Sequence, residues 1–238
     1  MTLARTARLV RPARTSVPPG TRFVLAGSAV AWVALPLWTV GAGHGGAVEP
    51  WRAGWLLTWL LMVVAMMWPL AAPALAVVTG RAFRAWRVRL VATCLGVFTL
   101  LWVAAGLAVA VAAHVLAVPA AGGVWALGWV LVALVAGRSA RRARLLWKCT
   151  EVPGVAPGGA RGLASAAIAG AVAWRRCALL CGPVMTAMVL AHDPLLMLGA
   201  SAAAWWEAAH PRAWRDPVPA LLLAAVAAWL LLGVVGSR

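Results

Sequence analysis

WLLTWLLMVVAMMWPLAAPALAVV, residues Trp55 to Val78, runs for 24 residues without a charge. At 1.5 Å per residue an α-helix needs about 20 such residues to cross the hydrocarbon core of a bilayer. The run is long enough, and apolar runs of the same kind recur from Phe23 to the C-terminus. The 238-residue chain is 64% hydrophobic and only 11% charged, whereas a soluble domain carries about a quarter charged residues. The fold class expected is all-α, a polytopic transmembrane helix bundle in the plasma (inner) membrane.

Outward from that run, the sequence divides into about seven spans. Residues 1–22 hold Arg5, Arg8, Arg11, Arg14 and Arg22 among prolines and read as a basic, mostly irregular cytoplasmic tail. Residues 23–238 form a single transmembrane helical domain. Phe23–Thr39 is an uncleaved first helix, too long and Trp-rich for a secretory signal. After the run at Trp55–Val78, a third helix is expected over Leu90–Val118, a fourth over Val124–Ala136, a sixth over Leu195–Ala209 and a seventh over Ala220–Val235. The longest polar segment, about 137–162, is a cytoplasmic loop whose VPGVAPGG stretch resists regular structure. The fifth helix is expected to begin near Arg175-Arg176, with the apolar stretch from Gly162 to Trp174 lying at the interface or among the other helices. Small residues at four-residue spacing, Gly158, Gly162, Ala166 and Gly170, suit close helix packing.

The net charge of +16 would suggest nucleic acid in a soluble protein. Here the basic residues sit in short clusters between apolar runs, so topology explains them and no nucleic-acid partner is expected. With the N-terminus inside, the successive cytoplasmic segments hold five, four, six and two basic residues, and only Arg52 and Arg238 lie outside, with Arg175 and Arg176 unassigned. The positive-inside rule therefore predicts an N-in, C-out bundle. Cys94, Cys149, Cys177 and Cys181 do not make a disulfide framework.

Two stripes carry chemistry. In the second helix Met62 and Met66 are one turn apart, Met67 is beside them, and Pro69 and Pro73 follow. Proline frees backbone carbonyls and bends the helix, which marks a site or a packing kink filled by adaptable Met. In RRCALLCGPVMTAMVLAH, Arg175 to His192, helical geometry puts Cys181 at about 40° from Cys177, Met185 at about 80°, Met188 at about 20° and His192 at about 60°. Thiolate, thioether and imidazole on one face are the donors of a soft transition metal; the competing reading is an apolar packing face. All methionines except the initiator lie in the second, fifth and sixth helices, and a mere filler would scatter. Glu207, an acid in an apolar helix, is a functional candidate by position or a helix-end residue paired with Arg212 or Arg176.

The block from Trp59 to Pro73 resembles the Trp-x-x-Met-x-x-Ala-Met-Met-x-Pro-x-x-x-Pro signature of an uncharacterised bacterial family labelled as predicted metal-binding integral membrane proteins. Lys148-Cys149 is similar to the family's loop motif. Cys177, Cys181 and Met185 match three positions of its Cys-x-x-Cys-Cys-x-x-x-Met segment, with Leu180 in place of the middle cysteine. Met197 and Glu207 match a later Met and Glu. The resemblance covers about Trp55 to His210 and implies metal binding.

No phosphate-binding loop, HExxH, zinc-spaced CxxC pair or nucleophile–base arrangement occurs, so no enzyme is expected. The expectation is a membrane protein that binds Cu(I) through Met62, Met66, Met67, Cys177, Cys181, Met185, Met188, His192 and Glu207. Its role would be copper handling or delivery, with the lipid bilayer and a metal-donor or acceptor protein as partners. The alternative is a non-metal structural or assembly subunit, or a small permease.

Overall fold

A computed structural model of the chain describes residues 19–42, 53–116, 123–137, 153–191, 193–210 and 216–236. These residues form seven α-helices and no strand: α1 (Pro19–Ala42), α2 (Ala53–Arg81), α3 (Arg87–Val115), α4 (Gly123–Gly137), α5 (Gly159–Leu190), α6 (Pro194–Ala209) and α7 (Val218–Gly236). Four hold stretches long and apolar enough to cross a membrane, Gly20–Leu37, Ala53–Arg81, Arg87–Val115 and Gly159–Leu190; α4 and α7 hold shorter apolar stretches. Large apolar side chains also face outward, including Val30, Val33 and Leu37 on α1, Leu100 and Val111 on α3, and Leu221 and Leu232 on α7. A bundle apolar on its outside as well as its inside suits lipid rather than water.

The central element is α2. Half of its spanning window is buried (50%, against 28–33% in the other three long helices). It packs closely on α1 and α3, and more sparsely on α5 and α6. Beyond α3 the contacts run through α5, α4, α7 and α6, and α6 returns to α2. The closest approaches are set by missing side chains. A Cβ at Gly170 of α5 would run into the Cys94 carbonyl of α3, and one at Gly106 of α3 would overlap the Trp59 indole of α2. That indole donates from Nε1 to the Trp102 carbonyl, 3.1 Å away.

Two aspartates fasten α6 to α7. Asp193 caps α6, its Oδ1 accepting from the backbone N–H groups of Leu195 (2.8 Å) and Leu196 (2.9 Å), with Pro194 in the first turn. This is the chemistry that an Asp-Pro pair brings to a helix start. Its Oδ2 accepts from Trp229 Nε1 of α7 at 3.3 Å. At the other end Asp216 accepts from the Val218 backbone N–H (3.0 Å) and from Trp206 Nε1 (2.9 Å).

The structure corrects the boundaries around Arg175-Arg176. Instead of an interfacial segment followed by a short fifth helix, residues 159–190 make one 32-residue helix that passes through both arginines. Arginine is a good helix former; its charge sets where the helix sits in a membrane, not whether it continues. The helix starts where Gly159 adopts φ +69°, a conformation that suits glycine. Helix therefore also claims residues 159–162 of the expected loop, and Pro19–Arg22 of the expected tail. Residues 1–18, the linker with His44 and the loop segment 138–152 with Lys148-Cys149 lie outside the described residues.

Candidate functional site

The proline at position 69 has no N–H, so the carbonyl four residues earlier, that of Ala65, loses its helical donor. Ser28 of α1 donates its hydroxyl to that carbonyl instead. The next carbonyl, of Met66, accepts from Trp205 Nε1 of α6 at 3.1 Å. The backbone beneath Met66 and Met67 is thus held from two sides by neighbouring helices. Their side chains point into the bundle, 1% and 2% exposed.

There they meet α5. Cys181, Met185 and Met188, with Leu180 and Val184, form one wall of a cavity that Met66 and Met67 close from the α2 side. Across it α6 presents Ala200, Ala203, Ala204 and Glu207, and α7 adds Leu223. The small alanines leave the space that the sulfurs surround. Its volume is about 20 Å³, room for about one water-sized particle and for no organic molecule. The polar character of the lining comes from one thiol, one carboxylate and four polarizable thioethers.

Five of the expected sulfur ligands, Met66, Met67, Cys181, Met185 and Met188, share this cavity, and Glu207 joins them. Cys177 does not line it, but its thiol donates to Met67 across 3.6 Å, sulfur to sulfur. Met62 is fully buried one turn before Met66 and also lies outside the lining. Helix α6 contributes its carboxylate rather than its methionine: Met197 is buried but not part of the cavity. His192 lies outside the described residues. Of the other histidines, His114 ends α3, and His210 ends α6 with its ring stacked on Trp206 at 4.5 Å.

The sequence reading missed Ser28 and Trp205. A signal for the first existed, because Pro69 predicts an orphaned carbonyl at Ala65; which neighbour answers it is a matter of packing. Cys94, Cys177 and Cys181 form no disulfide. No three of His, Cys, Asp and Glu gather among the described residues, so the donor set there is one of sulfur with a single carboxylate. A second cavity lies further along α2, an apolar groove of about 740 Å³ lined from α1, α2 and α6 by Ser28, Trp32, Pro69, Pro73 and Trp205 among others.

No family model matches the chain, and no curated protein or solved structure matches it. What the site does is therefore argued from its own donors.

Proposed function

We propose that the chain is a multi-pass plasma-membrane protein, N-in and C-out, that binds Cu(I) between α2, α5 and α6. The observation that carries this reading is the cavity of single-ion size lined by Met66, Met67, Cys181, Met185, Met188 and Glu207. Thioether and thiolate donors favour Cu(I) over harder divalent ions. The half-buried Glu207 carboxylate would offset part of the ion's charge. The resemblance of the Met-Met-Pro block to an uncharacterised family labelled as predicted metal-binding membrane proteins points the same way. The role would be copper handling or delivery rather than turnover, with a donor or acceptor protein at the membrane surface.

The test is the metal content of the purified full-length chain after loading with Cu(I) under reducing conditions. The native protein should hold about one ion per chain, as the cavity admits one particle. Cys181→Ser combined with Met185→Leu should hold only a trace. Equal, trace copper in both proteins would end the reading.

The alternative, a non-metal assembly subunit or small permease, has the groove of about 740 Å³ in its favour, a volume within the range of small-molecule pockets. On that reading Met66→Leu and Met185→Leu, which conserve volume and apolarity, change nothing measurable in function.

A further inference from the structure

The sulfur donors outnumber what one ion can use. A soft metal takes at most four sulfur ligands in a tetrahedral shell. Yet Met62, Met66, Met67, Met185, Met188 and Met197 are all buried, none more than 4% exposed, and Cys177 and Cys181 stand on the same face of α5. The surplus is ordered. On α5 Cys177 lies one turn before Cys181, toward Arg175-Arg176, and touches Met67 at 3.6 Å. On α2 Met62 lies one turn from Met66 in the opposite sense. On α6 Met197 shares a stripe with Ala200, Ala204 and Glu207, at the end nearest the turn between α5 and α6. Each donor outside the cavity thus lies about one helical turn from a lining residue of its own helix.

A bare monovalent cation cannot leave such a cavity through an apolar interior, because the loss of ligands is not compensated by water. Along the helices it can move only where another donor takes over as the first lets go. Donors spaced by one helical turn, about 5.4 Å, on helices packed side by side allow such an exchange. A site meant only to hold an ion needs no donor beyond its shell. Nor does packing account for the arrangement: Met as filler has no reason to avoid α1, α3, α4 and α7, which hold none.

Resting on the metal-binding reading above, we infer that the cavity is the middle station of a transfer path. A soft monovalent ion moves between the Cys177–Met67 end and the Met62–Met197 end of the bundle. The chain is then a conductor of Cu(I)-like ions across the membrane, not a store.

Silver(I) in chloride-free buffer is the probe, since it shares the ligand preference and needs no reductant. The full-length protein is reconstituted in vesicles loaded with glutathione as a trap. External silver is stripped on a thiol resin, and the silver inside is counted by mass spectrometry. Silver bound per chain is measured separately in detergent. The native protein should bind silver and fill the vesicles faster than protein-free controls. The double variant Met62→Leu/Met197→Leu, whose changes lie outside the cavity lining, should still hold the one silver ion of the cavity, which also shows that it is folded. Its uptake should fall to the control rate. Native protein that binds silver but transfers none overturns the path and leaves the binding reading standing. So does a double variant that transfers like the native protein. Native protein that binds no silver overturns both.

Discussion

Met66 is the side chain on which most of the chemistry turns, because its sulfur lines the cavity while its carbonyl is tied to α6. Leucine there keeps volume and apolarity, so Met66→Leu should cost under about 1.5 kcal/mol of stability. Copper retention should drop sharply. Metal analysis beside a thermal melt in detergent separates the two effects. At the surface, Asp216 responds to pH. The Val218 backbone N–H and the Trp206 indole hold its carboxyl below the usual carboxylate range. Because the folded value is the lower one, its contribution is fully present above the ordinary value of about 3.9 and is lost as pH falls through the depressed one. An acid titration followed by the Trp206 indole N–H resonance should show a step below pH ~3.9, absent in Asp216→Asn.

At the scale of the helix, α2 shows how a break in hydrogen bonding becomes a packing instruction. Ser28 matters because Pro69 leaves the Ala65 carbonyl without a helical donor. Ser28→Ala should therefore cost about 0.6 kcal/mol, the average for an interhelical hydrogen bond in a membrane, and at most about 1.7. In a Pro69→Ala background residue 69 regains an N–H, and the same substitution should cost almost nothing. A double-mutant cycle of unfolding in mixed micelles measures the difference. The α3–α5 contact is the opposite case, fixed by an absence. Gly170→Ala puts a methyl group against the Cys94 carbonyl and should destabilise by about 1–3 kcal/mol, read in the same assay. The spacing of small residues in the sequence already suggested a close contact here. What it left open was the partner, since the same stripe would fit any helix with a flat surface.

For the whole molecule, the arrangement of basic residues makes a topological prediction. An alkaline phosphatase reporter joined to the C-terminus should be active outside the cytoplasm, and one inserted between α4 and α5 inactive. A C-terminal reporter that stays inactive would overturn the orientation. Composition and the length of the apolar runs were enough to establish an all-helical bundle of membrane character, because burying a backbone in lipid leaves few solutions and they depend on local residues alone. The 100° spacing likewise put Cys177, Cys181, Met185 and Met188 on one face of α5, since period is a local property. Tertiary structure decided the rest. It made Arg175-Arg176 the middle of one helix, chose Met67 as the neighbour of Cys177, and placed Glu207, rather than Met197, beside the sulfurs. Spacing fixes the direction of a side chain about its own axis, but not how helices cross or which turns meet. Those depend on where a glycine lets two backbones approach and where an orphaned carbonyl finds its donor, and both partners in each case lie far apart in the chain.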